Sequence, residues 1–449
     1  MNENNKSVYE LDGIPPFSSA AILGLQHILA MFAGNVAPLI IVANAMGLPM
    51  EQKTFLIQCC MFMAGVATLI QTYPIGPIGA RLPIVMGTSF GFLPAAISIS
   101  AKYGLAGVLG ASFVGGFFEM IIGAFLRPLR KFFPPVVTGT VLLSIGLSLL
   151  PVGIKYFAGG VGAKDFGSPS NLLLGSIVLI TVLFFKQFTR GITSMSSILI
   201  GLIVGYIVAI PMGKIDFSPI ANAKLISFPT PLKYGMTFHL DAILAMLLMY
   251  VLTAVETVGD ISGITMGGAN REATDKELSG GVMADGFGSA LAALFNVLPN
   301  TSFSQNVGIV ALTGIMNRFT VAVGAMFLIV AGLFPKAGAL VALMPQSVLG
   351  GASIVMFSMI AISGINLITK EPLQGRNSII VAVAIGLGFG LGSVPEAIAY
   401  FPESVKMIFG GSGMVVTGTI ALLLNIILPE DSEEELVQPK VNLVAKAQS

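Results

Sequence analysis

The chain has 449 residues, of which 55% are hydrophobic and 10% charged, whereas about 25% of residues are charged in an average soluble domain. The mean hydropathy of +0.89, with 53 glycines, 25 prolines and no tryptophan, predicts apolar helices interrupted by small residues and breaks. A net charge of +1 leaves no basic surface for a phosphate backbone, so nucleic acid is excluded as a partner. The composition therefore excludes a soluble globular protein and indicates an all-α polytopic membrane protein.

Apolar segments of about 20 residues, the length needed to cross a bilayer, recur along the whole chain. We place fourteen at 18–46, 52–72, 83–101, 105–126, 135–154, 171–186, 193–212, 238–264, 279–298, 301–316, 319–343, 345–366, 376–395 and 405–428. The first 17 residues are polar and lack the basic start and apolar core of a cleaved signal peptide. The first segment is therefore predicted to be a permanent span.

The positions of the arginines predict the orientation. All seven lie in the same alternate set of loops, and an even number of spans puts both tails on one side of the membrane. The positive-inside rule then predicts cytoplasmic termini for a multi-pass protein of the cell membrane. The acidic run after residue 428 is typical of a solvated tail.

Two landmarks occur twice in the same order. Thr-Ser-Phe occurs at 88–90 and again at 301–303, an offset of 213 residues, and a proline opens a later span at Pro134 and Pro345, an offset of 211. This register predicts two homologous halves of seven spans. Because seven is odd, the second half must cross the membrane in the opposite sense, as in the inverted repeats of secondary transporters.

The two Thr-Ser-Phe segments are the predicted breaks in spans 3 and 10. Thr, Ser and Phe favour an extended backbone, and each segment is expected to be a short strand that leads into a half-helix. The helix after Ser304 would direct its positively polarised N-terminus into a cavity near the membrane midplane.

Few ionisable residues lie inside the predicted spans, and each is a functional candidate because burial in a bilayer is costly. They are His27, Glu119, Glu256, Asp260 and Asp285. Glu256 and Asp260 are four residues apart and share a helix face that could hold a substrate or a cation; a packed polar patch is the alternative. Asp285 and His27 could instead be structural hydrogen-bonding groups, and we interpret Glu119 as structural. No metal site or cofactor is predicted, because no histidine joins the two carboxylates of span 8.

The segment 303–314 contains two consecutive side-chain amides, Gln305 and Asn306, at the start of the predicted half-helix. Paired amide donors and acceptors suit a planar ring with alternating carbonyl and N–H groups. The alternative is helix capping by Ser304 or Asn306, which would explain one amide but not the other.

At this cluster the chain resembles the nucleobase–ascorbate transporter family, also called nucleobase:cation symporter family 2, and its xanthine and uric acid permease branch. The family signature of Gln or Glu, Asn, any residue, Gly, four variable residues and Thr is matched from Gln305 to Thr313. The other matching motifs are Gln26-His27, Arg81-Leu82-Pro83 with Gly87-Thr88-Ser89-Phe90, residues 133–140, Glu256-Thr257-Val258-Gly259-Asp260 and Ala284-Asp285-Gly286. The resemblance extends from about residue 17 to 428.

The resemblance implies a seven-plus-seven inverted repeat with a core domain and a gate domain. The implied parts are an N-terminal tail at 1–17, core segments at 18–126 and 236–343, gate segments at 127–235 and 344–428, and a C-terminal tail at 429–449. Such transporters form homodimers in the lipid bilayer and move a nucleobase with a proton by an elevator-like shift.

Carried over by motif, Glu256 would bind ring N–H groups, and Gln305 a carbonyl and a ring nitrogen. Phe90 would stack on the ring, while Ser304 and Phe303 would contribute contacts from the segment beside it. His27, Asp260, Asp285, Asn306 and Thr313 would orient these groups or couple the proton to movement.

The resemblance implies import of an oxidised purine. Gln305, where uracil-selective relatives resemble the Glu form, favours xanthine, whereas Ala311 departs from the Gln of some xanthine-type members and keeps urate open. A uracil permease and an anion transporter or channel of the same architecture are the further alternatives. An enzyme is not expected, because no catalytic metal or nucleotide motif occurs.

Overall fold

The structure is a computed structural model, and it describes residues 10–129, 132, 134–402, 405, 406, 409 and 413–429. Residues 1–9 of the predicted N-terminal tail and 430–449 of the predicted C-terminal tail lie outside the described residues. Helices account for most of the described chain, which confirms the predicted all-α class.

The described residues of the first half form nine helices and one short strand. They are α1 (Phe17–Ala45), α2 (Met50–Thr72), β1 (Met86–Thr88), a 3-10 turn (Phe90–Phe92), α3 (Leu93–Ala124), α4 (Leu126–Leu129), α5 (Pro135–Phe157), α6 (Pro169–Phe188), α7 (Ile192–Met195), α8 (Ser197–Ala209) and α9 (Ser218–Asn222). Prolines precede or open several of these helices, because the fixed φ of proline suits the first turn and its missing N–H is not needed there.

The second half repeats this order. It contains α10 (Leu240–Ala269), α11 (Asp275–Leu294), β2 (Asn300–Ser302), α12 (Ser304–Thr313), α13 (Arg318–Gly332), α14 (Pro335–Ala342), α15 (Gln346–Ile368), α16 (Gly375–Ser393), a 3-10 turn (Pro395–Ile398) and α17 (Gly413–Ile427). Each of the fourteen predicted segments contains helix.

Eight helices in the described part of the chain are long and apolar enough to cross a membrane. Three predicted spans differ from simple rods. Predicted spans 3 and 4 form the one element α3, broken at Gly104, where φ is 66°. The segment predicted as one span at 319–343 is bent, because α13 and α14 meet at an angle of 85°. Pro335, which opens α14, cannot continue the hydrogen bonding of the preceding helix.

The two strands pair with each other and join the halves at the centre of the fold. They are antiparallel, with Met86 opposite Ser302, Gly87 opposite Thr301 and Thr88 opposite Asn300. All six residues are buried. The backbone bonds between the strands satisfy polar groups that could not face lipid, and both predicted breaks are thereby confirmed as short extended segments.

Glycines allow close helix packing around this strand pair. A Cβ on Gly116 of α3 would lie 2.6 Å from the carbonyl oxygen of Gly286 in α11. A Cβ on Gly139 of α5 would likewise lie 2.7 Å from the carbonyl oxygen of Gly364 in α15. The absence of side chains lets these backbones touch, as small residues do in membrane helix pairs.

Candidate substrate and coupling site

The candidate site is built on α10, which passes beside the paired strands. Glu256 lies in the middle of this helix and lines a small cavity of about 10 Å³, room for about one water molecule. The cavity is bounded by Gly91, Met249, Leu252 and Thr253 on one side and by residues of α5 on the other, namely Thr138, Val141, Leu142 and Ile145. Glu256 is half-buried, and no hydrogen bond to its carboxylate occurs within the described part of the chain. Its carboxylate is thus available as an acceptor in an apolar setting.

Asp260 lies one turn further along α10, and its carboxylate is occupied by hydroxyl groups. Ser302 of β2 donates to Oδ2 at 2.6 Å, and Ser304 at the start of α12 donates to Oδ1 at 2.7 Å. Glu256 and Asp260 share a side of α10 as predicted. The Asp260 carboxylate, however, is hydrogen-bonded to β2 and to the start of α12, and it links both elements to α10.

The amide pair lies at the start of α12, as predicted. Neither residue caps the helix: the N-cap residue is Phe303, and it makes no side-chain capping bond. The capping alternative is therefore wrong for both Ser304 and Asn306, because the Ser304 hydroxyl donates to Asp260 and the Asn306 amide donates elsewhere. Gln305 is exposed, and the residues that line the cavity at Glu256 do not include it.

His27 and Asn306 join the two halves of the chain. The Asn306 Nδ2 lies 3.0 Å from His27 Nδ1 and donates to the His27 backbone oxygen at 3.1 Å. Both side chains are buried. Since Nδ2 of Asn306 is a donor, His27 accepts at Nδ1, which places the ring proton on Nε2 in the neutral form.

Asp285 on α11 faces α10 and β2. Its Oδ2 accepts from the hydroxyl of Thr257 at 2.5 Å and from that of Thr301 at 3.4 Å. Thr257 also lies 3.3 Å from the hydroxyl of Ser302. Threonine and serine hydroxyls thereby connect Asp285 to Asp260 through the interior.

The two phenylalanines of the repeated motif have different surroundings. Phe90 is half-buried and meets Phe357 of α15 edge to face, with ring centroids 5.3 Å apart. Phe303 is buried with its ring against Gly34 and Gly87, and its backbone N–H donates to the oxygen of Val85. The ring of Phe303 therefore packs among α1 and β1 and does not line the cavity at Glu256.

Thr313, the last residue of the signature, lies at the end of α12. Its hydroxyl donates to the Ile309 oxygen of the same helix at 2.8 Å and accepts from the Ile315 N–H at 3.3 Å. The helix ends at Gly314, where φ is 65°. Thr313 thus stabilises the end of α12 and is not among the residues that line the cavity.

The sequence reasoning missed a neutral polar cluster on the other side of the strand pair. Asn35 of α1 accepts from the Thr88 N–H at 2.8 Å through Oδ1, and Cys60 of α2 lies 3.2 Å from the Thr88 hydroxyl. Ser289 similarly bonds both the N–H and the oxygen of Asn300. The search for candidate residues was limited to ionisable side chains inside the predicted spans, so it did not include Asn35. A search that also included side-chain amides inside the spans would have found this residue.

The sequence profile of the Permease family matches residues 18–397. The chain belongs to this family, nucleobase:cation symporter family 2. Its members are transporters, not enzymes, and the apolar helices and family together make the chain a multi-pass membrane protein.

Relatives are similar over almost the whole chain. A Clostridium perfringens protein named as a purine permease is 41% identical, over 94% of this chain and 93% of its own length. The xanthine permease of Bacillus subtilis is 37% identical, over 95% and 98%. The xanthine permease XanQ of Escherichia coli is 37% identical, over 97% and 96%.

Solved structures of other transporters have the same fold. The transmembrane domain of a cyanobacterial bicarbonate transporter, BicA, matches with a TM-score of 0.56 and 15% identity, over 91% of this chain and 97% of that one. The murine anion transporter Slc26a9 in the inward-facing state matches with a TM-score of 0.60 and 13% identity, over 91% and 68%. At these identities the likeness shows the fold alone.

Proposed function

We propose that the protein is a proton-coupled nucleobase symporter that imports an oxidised purine, xanthine. The observation that carries the proposal is the Glu256 carboxylate, which lines an interior cavity and accepts no hydrogen bond in the described part of the chain. A carboxylate that accepts two ring N–H groups makes short, charge-assisted bonds that offset its desolvation. The names of the relatives from Bacillus subtilis and Escherichia coli support xanthine as the purine.

In this proposal each face of the purine meets a different element. Glu256 binds ring N–H groups, and Gln305 at the positive end of α12 binds a carbonyl and a ring nitrogen. Phe90 stacks on the ring, which requires its contact with Phe357 to loosen when substrate enters. Ser304 and Phe303 contribute through their backbone, because the hydroxyl of Ser304 and the ring of Phe303 already have partners.

The coupling groups surround these binding residues. Asp260 and Asp285 are linked by hydroxyls, and Asn306 holds His27. Thr313 fixes the end of the half-helix. To couple transport, protonation must change the balance between the two facing states only when substrate is bound.

We further propose that residues 18–126 and 236–343 move as a core against a gate of 127–235 and 344–428, in an elevator-like shift within a homodimer of the cell membrane with cytoplasmic termini. The cavity supports this division, because Glu256 and Gly91 lie on its core side and Thr138, Val141 and Ile145 on its gate side. The contact between Phe90 and Phe357 crosses the same boundary.

Urate is the second candidate. Xanthine and urate differ at C8, so small changes beside the ring could exchange one for the other. A Cβ on Gly267 of α10 would lie 2.8 Å from the Ala311 Cβ, so Ala311 packs directly on α10. Ala311 is exposed, and it stands where some xanthine-type members have Gln, which keeps urate as the second candidate.

The test is uptake of labelled xanthine by cells that express the chain, with and without a protonophore and with excess unlabelled urate, uracil or hypoxanthine. We expect xanthine uptake that the protonophore abolishes and that uracil does not compete away. Uptake of urate or uracil but not xanthine would overturn the assigned substrate. Uptake of none of these bases, with the protein present in the membrane, would overturn nucleobase transport itself.

A further inference from the structure

Glu119 on α3 is a buried carboxyl group that the proposed substrate contacts do not use. It is fully buried, and its Oε1 accepts from the hydroxyl of Thr253 at 3.0 Å. Its Oε2 is buried and has no hydrogen-bond partner within the described residues. Burying a carboxyl group inside a membrane domain with one oxygen unpaired costs free energy. We therefore expect such a group to have a function.

Asp285 on α11 is the matching group across the helix interface. It is also fully buried, and its Oδ1 has no partner among the described residues, although its Oδ2 accepts from Thr257. A Cβ on Gly286, the residue after Asp285, would lie 3.0 Å from the Cβ of Glu119, so the two carboxyl groups start from adjoining helix turns. The molecule thus holds two neighbouring buried carboxyls, each with one free oxygen.

Glycines bring these carboxyls together. A Cβ on Gly286 would lie 2.6 Å from the backbone nitrogen of Met120 and 3.0 Å from the Cβ of Glu119. Gly116 makes the reciprocal approach to α11, one turn before Glu119. The two carboxyls therefore emerge where α3 and α11 are in backbone contact, and the space between them is closed to lipid.

The other charged and titratable groups that act on the pair are acidic or neutral. Glu119 interacts with Asp285 and Glu256, and Asp285 with Asp260. The Tyr250 hydroxyl, also nearby, donates to the Ser112 oxygen. No ion pair in the described part of the chain includes Glu119 or Asp285. Two buried carboxylates without a cation cannot both remain ionised, so the pair retains a proton.

Hydroxyl groups of α10 connect the pair to the cavity. Thr253 lines the cavity and donates to Glu119, while Thr257 donates to Asp285. These two threonines flank Glu256 on the same helix, three residues before it and one after it. A rotation or shift of α10 would therefore change the surroundings of the Glu256 carboxylate and of both carboxyls of the pair.

We propose that Glu119 and Asp285 form one proton-binding pair that carries the coupling proton, with Glu119 as a coupling residue. This inference rests on the proposed function. The proton adds to a free carboxylate oxygen, Oε2 of Glu119 or Oδ1 of Asp285, to form an O–H bond, and it leaves to water on the opposite side. Substrate binding at Glu256 and proton binding at the pair thus occupy separate groups.

The test uses Glu119→Gln in membrane vesicles, with Glu51→Gln, an exposed residue in the first turn of α2, as the matched control. Because the introduced glutamine imitates a permanently neutral carboxyl, we expect substrate exchange without a pH gradient to stay within about threefold of the wild type, while accumulation driven by a pH gradient falls about tenfold or more. Glu51→Gln should change neither.

Two transport outcomes would overturn the pair. One is accumulation by Glu119→Gln at the wild-type level with the same pH dependence. The other is loss of exchange and accumulation together in a variant that is folded by size-exclusion chromatography, since that would make Glu119 part of substrate binding or of the scaffold. If the wild type transports no nucleobase, the proposed function fails first.

Infrared spectra of purified protein test the pair without any substrate. We expect the wild type to show a protonated-carboxyl C=O band at neutral pH that disappears at alkaline pH and is reduced in Glu119→Gln. Absence of this band from the wild type at neutral pH would overturn the pair even if the variant does not fold.

Discussion

The two breaks at the centre of the molecule share a backbone arrangement, a short strand that leads into helix, but differ in the charge of the side chains that hold them. In the first half, β1 leads through the 3-10 turn Phe90–Phe92 into α3, and the groups that hold it are neutral: Asn35 accepts from the Thr88 N–H. In the second half, β2 leads into α12, and the carboxylate of Asp260 accepts from Ser302 and Ser304. One half provides an apolar surface and a neutral scaffold, while the other concentrates charge.

This difference places side chains of different character at equivalent positions of the two repeats. An inverted repeat brings equivalent segments together, but a purine ring needs a stacking face on one side and polar groups at its edge. In the proposed site, Phe90 on one break and Gln305 on the other meet both needs. We therefore expect changes at the charged groups around the second break to alter transport, and changes at the neutral groups that hold the first break, such as Asn35 and Gly87, to alter stability.

The largest effect is expected from Glu256→Gln. Two hydrogen bonds to a charged acceptor, at about 1.5–3 kcal/mol each, correspond to a loss of about 10²-fold or more in uptake. Initial rates of labelled xanthine uptake measure it, with Glu272→Gln in the exposed loop before α11 as the control. Uptake that survives Glu256→Gln would instead support an anion transporter of the same fold.

Asp260→Asn should weaken transport by a smaller factor. An asparagine has a single acceptor oxygen, so one of the two bonds from Ser302 and Ser304 is lost. Loosening the start of α12 should cost about 1–3 kcal/mol, seen as a raised Km of about tenfold or more. The matched change in the first half, Asn35→Ala, should lower the melting temperature while leaving Km near the wild-type value. A raised Km in Asn35→Ala together with an unchanged Km in Asp260→Asn would contradict the expectation that the second break affects transport and the first affects stability.

Gly87→Ala tests the scaffold role of the first half. A Cβ there would lie 2.7 Å from Asn35 Oδ1 and 2.9 Å from the Phe303 ring, so the strand pair must shift. Overpacking of this kind costs about 1–3 kcal/mol of folding stability. Thermal unfolding of the purified protein checks it, and Gly308→Ala in α12, where a Cβ would meet nothing within 4 Å, is the control. Equal melting temperatures for the two variants would contradict this role.

The smallest effect concerns the start of α11, where the second half has a capping box and an ion pair that the start of α2 lacks. Helix α2 follows Pro49 without a side-chain cap, whereas Thr274 and Glu277 form a capping box and Glu277 pairs with Arg271. Burial opposes ionisation of Glu277, but hydrogen bonds from Arg271 and Thr274 outweigh it and hold the pKa of this carboxyl below its ordinary value.

A carboxyl with a lowered folded-state pKa stabilises the protein above its unfolded-state pKa, and this contribution is lost as pH falls through the folded value. Glu277→Gln retains the capping pattern but removes the charge, so it should cost about 0.5–1 kcal/mol at neutral pH. Melting temperatures of the two proteins measured against pH should converge on acidification, below about pH 4. A difference that grows on acidification would contradict the lowered pKa.

Much of the fold could be predicted because bilayer crossing demands long apolar segments. Thr-Ser-Phe at 88–90 and 301–303 marked both breaks, and each is a strand that leads into helix. The bend of 85° between α13 and α14 was missed, because the residues around Pro335 are as apolar as a continuous span. A hydropathy pattern indicates which segments are apolar, but it does not indicate the angle between consecutive helices.

For the site, the sequence identified the polar residues but not their partners. The side chains of Gln305 and Asn306 were predicted to act together, yet Asn306 is bonded to His27 while Gln305 is exposed. Phe303 was expected among the substrate contacts, but its ring packs on Gly34 and Gly87. Adjacent residues on a helix point in different directions, so neighbours in sequence meet different elements.

By itself, then, the sequence determined the membrane environment, the repeated halves, the family and the ionisable side chains inside the spans. These follow from composition, spacing and local motifs, which need no knowledge of distant contacts. Only the tertiary structure decided that β1 and β2 pair, that Glu256 faces the cavity, and that Glu119 adjoins Asp285. Each of these depends on segments that are far apart in the chain being brought together by close packing at glycines such as Gly116 and Gly286.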